Sequence, residues 1–404
     1  MRVLQSVVRE AKALWADGRG PSLVAIAGGW GILLGARMVY PVLLPYLRES
    51  FDISLTVAGF LVTVLWLGSA VGQLPGGVLA DRYSERSVMT AGAVVVAAAL
   101  VVVVTAPTAL VLFAATGLVG LGQSLYPIAR ITILSDIYPD RIGSALGVTM
   151  ATGDLGQTVL PPVAGVLAAA FVWQAGLLFI VPLLLVAGLF VWATLPSAPD
   201  AGDAADPAPS AGLRGVVADL RGSNLLFVSF ILFLYILIWQ SFTGLYPTYL
   251  VEVKELSSSA AGVLFSGFFA VGVLVKPLAG AAYDRIGMRN ALVAVLVGPI
   301  VGLALLPFVE GFWSLAAVTA VVSTMLGSGA ITQSFLSEAF SEDVRGTGLG
   351  VVRTSVATLG AAGPVLFGGI ADRGYFDEGY LLLAAVLVVV VLLTLRLPTS
   401  AQSG

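Results

Sequence analysis

Three ionisable side chains stand deep inside long apolar runs: Arg37, Asp154 and Lys276. A charge at that depth in lipid is costly unless it is paired or wet, so each marks a candidate site. An arginine offers a fixed fork of donors, the geometry that grips a carboxylate or a phosphate. At about 1.5 Å per residue, Arg37 lies about 22 Å into its run, near mid-membrane and beyond snorkelling reach. Asp154 lies about 18 Å into its run and is the only acid in the middle of any run. Two readings stand open for it: a proton carrier, or a fixed salt-bridge partner of Arg37 or Lys276. Lys276, about 12 Å from the end of its run, is within snorkelling reach and is a second candidate for coupling or substrate contact. Arg130 and Arg353 lie close to span ends and read as snorkelling, or as paired with Asp136 and Glu338.

The elements that must hold these groups follow from composition. The chain has 404 residues, 58% hydrophobic and 11% charged. A soluble domain carries about a quarter charged residues, so the solvent here is lipid. In lipid, apolar runs of about 20 residues are helices, because nothing else satisfies the backbone. We read twelve of them: 22–47, 54–80, 88–106, 109–135, 143–169, 173–195, 223–250, 257–283, 289–308, 312–337, 346–371 and 378–396. Residues 1–21 lack the apolar core of a signal peptide and read as an amphipathic surface helix. Residues 196–222, rich in Ala, Pro, Asp and Gly, read as a cytoplasmic linker. The expected organisation is therefore 1–21, a six-helix bundle over 22–195, the linker, a second bundle over 223–396, and a tail over 397–404.

Absences narrow the function. There is no cysteine and no histidine, which removes disulfides, thiol chemistry, histidine-based zinc sites and histidine proton relays. None of the three lysines stands in a phosphate-cradling Gly-x-x-x-x-Gly-Lys-Ser/Thr loop. A net charge of −3 offers no basic patch for nucleic acid. No nucleophile–base pair or metal constellation supports an enzyme, and no cofactor is expected.

Two charged loops recur 203 residues apart: Gly77-Val-Leu-Ala-Asp81-Arg82-Tyr-Ser-Glu-Arg86 and Gly280-Ala-Ala-Tyr-Asp284-Arg285-Ile-Gly-Met-Arg289. The same offset matches Gly143 and Gly147 with Gly346 and Gly350, and Pro161 and Gly165 with Pro364 and Gly368. Six spans per copy places both copies in one orientation, related by an axis along the membrane normal. Of the 20 lysines and arginines, 13 fall on the side of the termini and three (Arg48, Lys254, Arg373) on the other, which predicts both ends cytoplasmic. Gly31-x-x-x-Gly35, Gly72-x-x-x-Gly76 and Gly143-x-x-x-Gly147 are read as devices for close helix approach.

With these loops and with Tyr40-Pro41-Val42-Leu43-Leu44-Pro45 in the first span, the whole chain resembles the major facilitator superfamily. The resemblance implies an all-α fold of twelve spans in two pseudo-symmetric bundles, and transport by alternating access. It also implies a central cavity lined by spans 1, 4, 7 and 10. It implies that Asp81 faces the start of span 11 near Gly346, so that Asp81, Arg82 and Arg86, with Asp284, Arg285 and Arg289, gate the cycle. Three departures stand out. Ser84 and Glu85 replace the usual Gly and basic residue. Thr116 stands where proton-coupled members often carry Arg. Span 5 has Pro161-Pro162-Val-Ala-Gly165, while the cleaner Gly363-Pro364 falls in span 11.

The repeat places Gln240 opposite Arg37, and Tyr40, Tyr126, Trp239 and Tyr246, with Trp30, are candidate walls. The expected function is secondary transport of a small solute across the cytoplasmic membrane, with an organic or inorganic anion as the expected class. Protons are the candidate coupling ion, exchange is an alternative, and a monomer in the bilayer is expected. Efflux of amphipathic compounds and a non-transporting membrane sensor on this fold are the other readings.

Overall fold

The computed structural model describes residues 13–196, 225–339 and 345–397. Among these, nine helices are long and apolar enough to cross a membrane. The helices are α1 (Gly20–Phe51), α2 (Leu55–Val71), α3 (Gln73–Tyr83), α4 (Glu85–Val104), α5 (Ala109–Ser124), α6 (Tyr126–Ile137), α7 (Ile142–Ala170), α8 (Ala175–Leu178) and α9 (Ile180–Thr194). There follow α10 (Leu225–Glu252), α11 (Ser258–Leu305), α12 (Phe312–Val322), α13 (Gly327–Ala339), α14 (Arg345–Gly360), α15 (Gly363–Ala371) and α16 (Phe376–Thr394).

Glycine and proline decide where these helices break. Pro364 stands at the start of α15, where its missing N–H costs nothing. α11 runs 48 residues but contains Gly287 at φ 74°, ψ 169°, which turns the chain between spans 8 and 9. The equivalent position in the first copy, Ser84, takes φ 102°. A side chain rarely adopts that conformation, and here its Oγ accepts from the Ser87 N–H to cap α4. With α11 counted as two spans, α2–α3 and α7 complete the twelve-span, all-helical fold.

The chain forms two compact units. The first comprises residues 1–43 and 64–202, the second residues 44–63 and 203–404. The division passes through α1 and α2, which run unbroken from one unit into the other.

Inside the first unit, glycines set the helix distances. A Cβ at Gly35 would lie 2.5 Å from the Gly156 carbonyl oxygen, and one at Gly156 only 1.9 Å from that of Gly31. α1 and α7 therefore touch backbone to backbone, the contact that small residues permit in membranes. A Cβ at Gly72 would lie 2.1 Å from the Ser124 Oγ, and one at Gly76 3.0 Å from the Ser124 carbonyl oxygen. Gly143 and Gly147 differ from expectation: nothing among the described residues lies within 4 Å of a Cβ at either.

The second unit is held by an aromatic lattice. Phe242 stacks on Tyr246 at 4.5 Å, and Tyr380 stands edge-on to Tyr249 at 4.5 Å and to Phe367 at 5.1 Å. Tyr249 donates to the Asp377 carboxylate at 2.5 Å. Lys254, its side chain almost fully buried, donates to the Pro307 carbonyl at 2.8 Å and pairs with Glu310 at 2.9 Å. Large apolar side chains such as Leu189, Leu274 and Leu278 lie bare on the surface, as a chain solvated by lipid allows.

Candidate functional site

Arg37 sits on α1, half-buried, in a cradle built by three helices of the first unit. Its Nε donates to Gln123 Oε1 on α5 at 2.9 Å, and one terminal nitrogen donates to Ser69 Oγ on α2 at 2.5 Å. Its guanidinium lies 4.6 Å from the ring centroid of Trp66, also on α2. Gln123 is itself held: its amide nitrogen donates to the Leu33 carbonyl at 3.2 Å, which turns its oxygen toward the arginine. The glycine contacts make this possible, since a Cβ at Gly120 would lie 2.4 Å from the Leu65 carbonyl. Hydroxyl, amide and ring orient the guanidinium, but none of them neutralises it. No carboxylate among the described residues pairs with Arg37.

One helical stretch further on, Arg130 of α6 corrects the snorkelling reading. It is 7% exposed, donates to Thr149 Oγ1 on α7, and lies 4.2 Å from the Trp30 ring centroid. Trp30 stacks on Tyr126 at 6.2 Å, and the Tyr126 hydroxyl donates to the Ile26 carbonyl at 3.0 Å. Tyr126 thus ties α6 to α1 and backs the tryptophan. Tyr40 is fully buried with its hydroxyl 3.5 Å from Thr116 Oγ1, so Thr116 is a partner for a tyrosine in this chain.

Asp154 is buried on α7, with the Gln157 amide nitrogen 3.4 Å from its Oδ1. Lys276 is half-buried on α11 of the second unit, and Arg353 on α14 is exposed.

In the second unit Gln240 is 2% exposed, and its Oε1 has no hydrogen-bond partner among the described residues. Buried amides normally find partners, so an orphan oxygen is a place where something is missing. It lies on the face of α10 that meets α14 and α15, where Gly360 abuts Ile236 and Gly363 abuts the Leu237 carbonyl and Ser241. The Trp239 carbonyl accepts from Thr243, and Tyr246 shares a hydrogen bond with Thr319 of α12.

The loop residues separate by role. Arg86 lies 4.0 Å from the Trp192 ring centroid and donates to the Leu195 carbonyl at 3.3 Å, which ties the start of α4 to the end of α9. Arg82 is exposed over Tyr83 at 5.5 Å. Asp284 and Arg285 are exposed and Arg289 is half-buried. Gly346 stands in the first turn of α14, and neither its surroundings nor the Asp81 side chain is described.

Sequence reasoning found Arg37 but not its cradle. Trp66 and Ser69 are three apart on one helix face, a weak signal, and Gln123 carried none.

A family model described as Major Facilitator Superfamily matches residues 25–331 and again residues 228–404. The hexuronate transporter of Bacillus subtilis (strain 168) is 24% identical over 387 residues, covering 89% of this chain and 90% of its own. Multidrug resistance protein MdtG of Salmonella typhi is 28% identical over 273 residues, 64% of each chain. The crystal structure of the nucleoside transporter NupG matches at a TM-score of 0.77 and 15% identity, over 93% of this chain and 98% of its own, a likeness of fold alone.

Proposed function

The chain belongs to the Major Facilitator Superfamily, and on that premise we propose that the solute it carries is a small organic anion gripped by Arg37. It is a multi-pass membrane protein and a secondary transporter, not an enzyme. One observation carries the anion reading. Arg37 is oriented by neutral partners at mid-span, and no described carboxylate pairs with it. A guanidinium held in place and uncompensated attracts an anion at little ordering cost. The hexuronate relative, which is named for a carboxylated sugar, fits this chemistry. Arg130 adds a second buried cation to the same unit. Within the second unit, Gln240, with its orphan oxygen, is suited to accept a hydrogen bond from a ligand hydroxyl. We assign the protein to the cytoplasmic membrane with both termini inside, on the distribution of positive charge. Asp154 and Lys276 are the candidates for coupling to protons or to exchange.

The test is a melting-temperature screen of the detergent-purified protein against hexuronates, aromatic carboxylates, phosphate, nitrate, neutral sugars and hydrophobic cations. A ligand of the folded state raises apparent stability by mass action. The expected result is a shift by one class of anion that Arg37→Ala loses. A shift by hydrophobic cations alone, equal in Arg37→Ala, would replace this reading with efflux of amphipathic compounds.

A further inference from the structure

α1 and α7 touch at Gly31 and Gly35 and then part toward the start of α1. A Cβ at Gly31 would lie 2.6 Å from the Thr152 carbonyl oxygen, whereas one at Gly28, about a turn nearer Gly20, would meet nothing within 4 Å. The gap between the two helices is a wedge of about 260 Å³. Leu23 and Val24 wall it on α1, Val148 and Thr152 on α7, and Leu14 and Trp15 just before α1.

The wedge does not suit a polar solute. The Thr152 hydroxyl already donates to the Val148 carbonyl at 2.9 Å, and the other walls are apolar side chains and the Trp15 indole. Val24 and Val148 are both exposed, so the wedge is open on one side. A void leaves the atoms around it without contacts, and in a chain solvated by lipid the filler at hand is hydrocarbon.

The residues just before α1 are built for a charged headgroup. Trp15 is 59% exposed, with its ring seated on Gly20, where a Cβ would lie 2.3 Å from it. An indole so placed suits the boundary between hydrocarbon and water. The Tyr138 hydroxyl bonds to the Leu14 and Arg19 carbonyls, at 3.0 and 2.9 Å, and fixes the turn between them. Arg19 donates to the Ile137 carbonyl at 3.0 Å, which sets a cation beside that turn. In sequence, Arg2, Arg9, Lys12 and Arg19 stand against Glu10 and Asp17 alone. Four basic residues next to a spanning helix are the pattern that draws anionic lipid.

We propose that the wedge between α1 and α7 is a binding site for an anionic phospholipid, with one acyl chain between the helices and the phosphate held by the basic segment that ends at Arg19. Arg37 bonds toward α2 and α5, not toward α7. The lipid site therefore stands whichever solute is carried, and its failure would leave the anion reading untouched.

The test is native mass spectrometry of the detergent-purified full chain, titrated with dioleoyl phosphatidylglycerol or dioleoyl phosphatidylcholine. One phosphatidylglycerol should be retained about tenfold more tightly than phosphatidylcholine. Gly28→Phe should fill the wedge, and retention should fall to the level of phosphatidylcholine while the melting temperature without lipid holds. If Gly28→Phe fails to fold, Val148→Trp, from the opposite wall, decides. Arg9→Gln with Lys12→Gln should cut the preference for phosphatidylglycerol about tenfold and leave phosphatidylcholine unaffected. Equal retention of the two lipids by the wild type would overturn the proposal, since the wedge would then take any acyl chain. Full retention of phosphatidylglycerol by a folded wedge-filling variant would also overturn it, since the lipid would then sit elsewhere.

Discussion

Positions 37 and 240 occupy the same place in two copies of one repeat, yet they hold opposite chemistry. In the first unit a guanidinium is fixed by an amide, a hydroxyl and a ring. In the second, a neutral amide lies buried with its oxygen unanswered, beside a lattice of stacked rings. The two copies keep the same helices but differ at this position, a charge in one and a neutral amide in the other.

The sharpest break of this comparison is at the arginine itself. Arg37→Gln makes the first copy resemble the second. It should lose about 2–4 kcal/mol of binding, on the order of 30- to 1000-fold in affinity, as removal of a buried charge partner does. Calorimetric titration with the anion found in the screen would measure it, and unchanged affinity would end the charge-against-shape contrast. Arg37→Lys should fall short as well, because an ammonium lacks the fork.

Gln240→Leu probes the other side. Removing a buried, unsatisfied acceptor should raise thermal stability by about 1 kcal/mol without ligand. A loss of stability would show that Gln240 has a partner after all.

Ser84→Gly tests the repeat where its copies share a positive-φ backbone and differ in the side chain. Glycine already takes the positive φ at position 287. Placing it at 84 should relieve about 1 kcal/mol of strain, less a few tenths for the lost cap, read as a higher melting temperature.

The smallest effect is expected from mild acid at Asp372, whose Oδ1 accepts from the Leu55 N–H at 2.7 Å and whose Oδ2 accepts from the Thr56 N–H at 2.8 Å, at the start of α2. Burial pushes the Asp372 carboxyl up, but bonds from the Thr56 and Ser54 side chains and the Thr56 and Leu55 backbone outweigh it and hold it below the usual carboxylate range. A group with a depressed folded value keeps its contribution above the ordinary value and loses it only as pH falls through the depressed one. The other charged groups at that end include Arg48, Glu49, Asp52, Glu252, Lys254, Glu255, Glu310, Arg373, Asp377 and Glu378. The melting-temperature difference between the wild type and Asp372→Asn should therefore stay flat from about pH 8 to pH 6 and shrink only in stronger acid. A difference that already shrinks near neutrality would put another group in control.

Much of the fold was legible before any coordinates. Apolar runs of bilayer length, a fixed offset between copies, and Gly31 and Gly35 at one-turn spacing all speak through local pattern. The break at Gly287 is local too. Arg37 was legible because a lone cation in an apolar run has no bland neighbour to explain it. Its cradle was not, since Ser69 and Gln123 reach it from sequence separations of 32 and 86 residues. Which faces of three helices meet is a matter of packing, which composition does not encode. Arg130 was misread for the same reason: its distance from the span end suggested water, whereas Trp30 and Thr149 enclose it. Asp372 carried no signal, because its partners lie 317 and 316 residues away.

One feature of α1 has a mechanical side. The helix is a single rod of 32 residues, and the boundary between the two units crosses it after Leu43. At about 1.5 Å per residue, about 12 Å of rod lies beyond that point toward Phe51 and about 35 Å lies before it toward Gly20. Pro41 and Pro45 flank that point and soften it, and where the two arms still move as one rod they form an unequal lever of about one to three. A movement of about 2 Å at the short arm, enough to part a hydrogen bond, becomes about 6 Å at the long one. Spin labels at the two ends of α1 would read that gearing directly, and equal displacements would show that the rod bends instead.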